Sequence, residues 1–154
     1  VHEAQIRWRL EGDFASGRYS RLHEIVLGNG PPLRGSASPQ VVAPPYAAAD
    51  AADPEAMFTA SLAACHMLWF LHCARNAGLI VLAYEDDPEG RLEKDASGRM
   101  VMTRVTLRPR IAFTGESPSA ASLMALHEAA HEACFLANSV KTSIFVEPRE
   151  TAAA

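Results

Sequence analysis

One stretch, residues 53–78, limits more than any other what this chain can fold into. It opens on Asp53-Pro54-Glu55 and closes at Gly78. An aspartate caps free N–H groups at a helix start, a proline suits the first helical position, and a glutamate favours the positive end of the helix dipole. The pattern predicts a helix running to about Asn76, with Gly78 as its stop. The segment is apolar nearly all round, which is the mark of a helix enclosed by other elements. His66, His72 and Arg75 interrupt it, so a core helix is expected and not a membrane span.

The segments on either side read mainly as strands. Ala4, Ile6, Trp8 and Leu10 alternate with Gln5, Arg7 and Arg9, giving a period of two. A second strand is expected over residues 17–27, after a turn at Gly12-Asp13. A proline- and glycine-rich segment, 28–53, follows, and loops of that length tend to be functional or mobile. Beyond the helix, strands are expected at 79–84 and around a hairpin at 95–98. Val101, Val105, Leu107, Ile111 and Phe113 line one face of a long strand, with Pro109 marking an edge or a bulge. Ser117-Pro118 opens a second helix ending near Asn138, and Val140, Thr142, Ile144 and Val146 make a last strand. The tail after Arg149 is expected to fray. The reading is α+β, a mostly antiparallel sheet with two main helices, in a single domain over residues 1–154.

Composition narrows the function. The net charge is −4, with both signs spread along the chain, and a nucleic-acid binder would show a clustered basic surface instead. The first ten residues are charged throughout and lack the apolar centre of a signal peptide. Three cysteines do not make a secreted disulfide framework. A reducing, cytoplasmic setting is expected, in which any disulfide is transient and catalytic. No membrane or nucleic-acid partner is expected.

Three groups of residues could carry chemistry. Cys65 lies midway along the core helix and Cys134 in the second helix; two such cysteines could meet across a helix packing, or each could be an inert buried residue. Cys73 sits about 80° around the helix from Cys65 and reads as core. His127-Glu128-Ala129-Ala130-His131 matches H-E-x-x-H, in which two histidines one turn apart bind zinc and the glutamate is the base. That reading supports a zinc hydrolase, but a catalytic zinc needs a third ligand and spacing points to none. The alternative is an amphipathic helix with partly exposed or hydrogen-bonded histidines. His66 points about 100° away from Cys65 and reads as a packing or interface residue.

Several motifs together resemble the OsmC/Ohr proteins. They are Asp53-Pro54-Glu55 with Ala60-Ser61-Leu62-Ala63-Ala64-Cys65, and Ala130-His131-Glu132-Ala133-Cys134 with Asn138-Ser139. Trp8, Gly12-Asp13 and Gly17-Arg18 are similar to the first hairpin of that family. Cys65-His66-Met67, Tyr84-Glu85-Asp86 and Leu107-Arg108-Pro109 are closer to its OsmC-like branch. Phe135 departs from it, standing where many members have proline. The resemblance implies an intertwined homodimer with sites at the subunit interface and a thiol peroxidase acting on organic hydroperoxides, with no cofactor and no metal. It implies Cys65 as the attacking thiolate, Cys134 as the resolving thiol, an arginine that orients the peroxide, and Glu55 holding that arginine. An external dithiol would restore the thiols.

Arg18 is the expected arginine, with Arg21 and Arg34 as further candidates. Some cation is needed, because a free thiol is only a few per cent thiolate at pH 7 and burial lowers that further. A small-molecule binding protein on the same fold, without turnover, is the remaining alternative.

Overall fold

A computed structural model describes residues 1–149; the expected fraying of the tail concerns residues outside these. The chain divides into two compact units, Val1–Met57 and Phe58–Ala154.

The first unit is built from short strands. β1 (Ala4–Arg7) pairs antiparallel with β4 (His23–Leu27), which pairs with β5 (Leu33–Gly35). β2 (Gly12–Asp13) and β3 (Arg18–Tyr19) form a separate small ribbon. The expected strand over residues 17–27 is thus two strands in two sheets. The chain turns between them, where the Trp8 indole N–H donates to the Ser20 carbonyl at 2.9 Å and the Arg21 N–H to the Tyr46 carbonyl at 2.8 Å. The long segment after residue 28 is not all loop: it supplies β5, and Gly35 bridges to Ala52.

α1 (Pro54–Asn76) begins in the first unit and runs on through the second. The Asp53 carboxylate accepts from the Ala56 N–H at 2.8 Å, as its place before Pro54 implies. At the other end Gly78 adopts φ +77°, and the Leu79 N–H reaches back to the Ala74 carbonyl. That left-handed residue is the reason a glycine stops the helix there. By length and mean hydropathy α1 could cross a bilayer, yet it carries a buried histidine and packs in a core.

The second unit packs two small sheets and a second helix against α1. β6 (Val81–Asp86) pairs antiparallel with β9 (Pro109–Phe113), while β8 (Met100–Leu107) lies between β7 (Glu89–Lys94), antiparallel, and β10 (Ser143–Val146), parallel. The single long strand expected across residues 101–113 breaks at Arg108. Its halves join different sheets, and Pro109, which has no N–H to offer a ladder, opens the second half. The Asp86 carboxylate holds this break by accepting from the Arg108 N–H at 2.6 Å. Phe70, Ala74, Ile111, Phe113 and Ala130 form one apolar cluster. Leu62, Ala63, Val105 and Leu107 form another.

α2 (Ala120–Ala133) is shorter than expected at both ends. Ser119, not Ser117, is its cap, its hydroxyl accepting from the Ser122 N–H at 3.2 Å. Cys134 already has an extended backbone, and a short 3₁₀ turn, Ala137–Ser139, follows.

Within one chain α1 is buried along a single stripe: Thr59, Leu62, Ala63, His66, Phe70 and Ala74. The all-round apolarity therefore overstates its enclosure by the chain itself. Ala60, Ala64 and Leu68, at helical spacing on another face, are exposed.

Candidate functional site

The second unit brings Cys65 and Cys134 together. Cys65 projects from the middle of α1 and is half-buried; Cys134 ends α2 and is 1% exposed. Both are free thiols, and they are neighbours close enough for Cys65 to act on the Cys134 thiol. Burial, and then the neighbouring Cys65, push the Cys134 thiol up to about 11. A helix C-terminus is also the negative end of its dipole, a poor place for a thiolate. The Ala137 N–H donates to the Cys134 sulfur at 3.4 Å and opposes these effects only in part. Cys134 thus keeps its proton at neutral pH and is shielded from solvent, whereas Cys65 is reachable. Cys73, on the same helix, is half-buried and also free.

Beside the thiols the α1–α2 seam is lined with histidines. His66 Nε2 and His127 Nδ1 are 3.0 Å apart, with the rings nearly parallel at 11°. Both residues are 1% exposed. Burial lowers each imidazole to about 4, helped by the proximity of His131 to His66 and of His66 to His127. At neutral pH the pair is therefore uncharged and cannot serve as the cation that favours a thiolate.

The two histidines are 61 residues apart, and nothing in that spacing signals a pair. The zinc arrangement set out for His127 and His131 is not formed. His127 turns its Nδ1 to His66, Glu128 is exposed, and among the described residues no three His, Cys, Asp or Glu side chains converge as a metal ligand set. Trp69 packs edge-on against both His72 and the exposed ring of Phe135.

The expected arginines and Glu55 belong to the first unit. Arg18 is exposed, its Nε donating to the Ser16 hydroxyl at 3.1 Å and its guanidinium 3.9 Å from Asp13. Arg21 lies 3.6 Å over the Tyr19 ring and donates to the carbonyls of Gly17 and Tyr19. It lines an apolar hollow with Trp8, Phe14, Tyr19 and His23. Arg34 pairs with Asp50 at 2.5 Å. Glu55 is half-buried in the first turn of α1. Because α1 is unbroken, ten residues separate Glu55 from Cys65 by about 15 Å along the helix, and the two cannot touch within it.

A family model described as OsmC-like protein matches residues 47–149. The chain belongs to the OsmC-like family. An OsmC-like protein of unknown function from Vibrio cholerae is 38% identical, with a TM-score of 0.93 over 97% of this chain and 99% of that one. An organic hydroperoxide resistance protein from Elizabethkingia anophelis is 18% identical (TM-score 0.70, covering 99% and 96%). One from Bacillus subtilis is 21% identical (TM-score 0.66, covering 98% of each). At those identities the latter two share the OsmC-like fold. No curated protein sequence matches the chain.

Proposed function

We propose that this OsmC-like protein is a thiol-dependent peroxidase for organic hydroperoxides. One observation carries the reading: two neighbouring free thiols from separate helices, one reachable and one buried and protonated. The fold shared with organic hydroperoxide resistance proteins supports it.

In this reading the Cys65 thiolate attacks the outer peroxide oxygen. The O–O bond breaks, the alkoxide takes a proton and leaves as the alcohol, and Cys65 becomes a sulfenic acid. Cys134 gives up its proton, its sulfur attacks the Cys65 sulfur, and the S–O bond breaks with release of water. An external dithiol then reduces the disulfide by exchange and is itself oxidised. The direct test is peroxide consumption by the purified chain with a dithiol as electron source. A chain that consumes no organic hydroperoxide under those conditions refutes the reading.

Arg18 is proposed as the arginine that orients the peroxide. Its guanidinium stays charged and can engage a carboxylate such as Glu55 through two parallel hydrogen bonds. Arg18→Ala is expected to slow both alkylation and peroxide oxidation of Cys65 at pH 7 by at least about tenfold, equivalent to about 1.4 kcal/mol. Cys73 is replaced in all samples to keep the signal clean. An unchanged rate in Arg18→Ala, with a loss in Arg21→Ala or Arg34→Ala, assigns the role to the other residue.

The functional form is proposed to be a homodimer. Apolar side chains stand open in a single chain: Leu68 on α1, Ile80 and Leu82 around β6, and Ile6 and Phe14 in the first unit. Exposed apolar surface of this kind marks interaction sites. The distance between Glu55 and Cys65 along α1 also suits a site completed by a second copy. Light scattering at micromolar concentration is expected to give twice the chain mass; a monomer mass rejects the proposal.

A further inference from the structure

We propose that the buried His66–His127 hydrogen bond is a positioning device that fixes the angle at which Cys65 faces Cys134, and so sets the rate of disulfide closure between them. The inference rests on the two-thiol reading above and adds the residues that align the thiols.

The placement of the four side chains carries the argument. His66 follows Cys65 directly on α1. His127 precedes Cys134 by seven residues, about two turns, so the two lie on nearly the same face of α2. Each helix thus carries one thiol and one imidazole into the same seam, and the imidazoles meet at 3.0 Å with their rings 11° from parallel. A hydrogen bond of that length between rigid rings is directional. It restricts rotation of both helices about their axes, which an aliphatic contact would do only loosely. The tolerance is small. A tip about 5 Å from a helix axis moves about 0.9 Å when the helix turns by 10°. The sulfurs must close to about 2.05 Å, within a narrow dihedral range.

Stability alone does not account for the pair. A neutral imidazole has one N–H and one lone pair. The His66–His127 bond uses one of each, and the outer atoms, His66 Nδ1 and His127 Nε2, are buried without a hydrogen-bond partner. Each such atom costs about 1–3 kcal/mol, and apolar residues of similar shape would avoid that cost. A base role fails on magnitude. An imidazole near 4 is a poor acceptor for the proton of a thiol near 11.

The test uses the full reduced chain with Cys73→Ser and a symmetrical aromatic disulfide whose released thiolate absorbs light. The Cys65 thiolate displaces one thiolate and forms a mixed disulfide. The Cys134 thiol then loses its proton to solvent, attacks the Cys65 sulfur and displaces the second. Thiolate release therefore has two phases, and the second reports closure.

His127→Leu is expected to leave the first phase within about twofold and to slow the second at least tenfold. Asparagine puts its amide near the Nδ1 position and glutamine puts it near Nε2. His127→Asn is therefore expected to restore closure to within about threefold, and His127→Gln, whose amide is misplaced, is not. Should His127→Leu fail to fold, the Asn and Gln pair still decides the matter: equal second phases in the two variants overturn the proposal. So does a parental second phase in folded His127→Leu, or a parent that never closes. The probe contains no peroxide. Absent peroxide turnover in a parent that closes normally would defeat the peroxidase reading and leave the positioning role intact.

Discussion

Cys65→Ser is expected to abolish hydroperoxide reduction, while Cys73→Ser leaves it nearly intact. The reason is geometric. Cys65 is the half-exposed member of a thiol pair, with the second thiol as its neighbour. Cys73 lies two turns further along the same helix, close to its C-terminal end. A serine hydroxyl is not appreciably ionised near neutrality and does not support the sulfur redox cycle, so the loss should be complete rather than partial.

Cys134→Ser should behave differently from either. The first oxidation still occurs, but the sulfenic acid has no partner thiol and accumulates. Mass spectrometry after one equivalent of organic hydroperoxide distinguishes the three: no added oxygen at position 65 in Cys65→Ser, an internal disulfide in Cys73→Ser, and a trappable sulfenic acid in Cys134→Ser. Full turnover in Cys65→Ser would falsify the mechanism.

The second large effect is on stability in acid. His66 and His127 are held neutral by burial, each lowered to about 4 from an ordinary value of 6.5. Above pH 6.5 neither state of the chain binds protons at these rings, and stability does not change on their account. Between pH 6.5 and about 4 the unfolded chain binds protons there that the folded chain does not, so stability falls as pH falls. Each imidazole contributes roughly 3 kcal/mol over that window at 1.36 kcal/mol per pH unit.

Asp86 acts in the opposite direction. Burial first, and then Asp87, raise its carboxyl, so its protonation favours the folded state and offsets part of the loss. The expected result is a urea midpoint that declines steadily from pH 6.5 to 4.5 in the parent and is much flatter in the His66→Leu, His127→Leu double variant. A flat parental profile over that range removes the neutral pair as a description of the core.

How far the sequence could be read depended on whether a signal was local. The start and stop of α1 were legible because caps act within one turn: Asp53, Pro54 and Gly78 each do their work beside the residues that define them. The two-cysteine motif was legible through its resemblance to a family, since nothing within either helix says that Cys65 and Cys134 meet. The break at Arg108 was half-visible. Pro109 announced an irregularity, but the exchange of sheets depends on the Asp86 carboxylate 22 residues earlier. The histidine pair was invisible, because residues 61 apart are joined only by the packing of α1 on α2. The one-sided burial of α1 by its own chain was hidden for a related reason: apolarity reports what a surface avoids and not which molecule covers it.

Cys134 stands at the end of α2, not within it, with an extended backbone and a short 3₁₀ turn beyond. A bond made there pulls on a terminus, where carbonyls lack helical partners anyway and the chain already changes direction. The interior turns of α2, which carry His127 and the core contact of Ala130, need not be remade when the sulfur moves. In the proposed cycle such a joint would pass between dithiol and disulfide with the movement of α2 confined to a few residues. The displacement in that cycle would fall on this end of α2, because Cys65 sits midway along the packed α1.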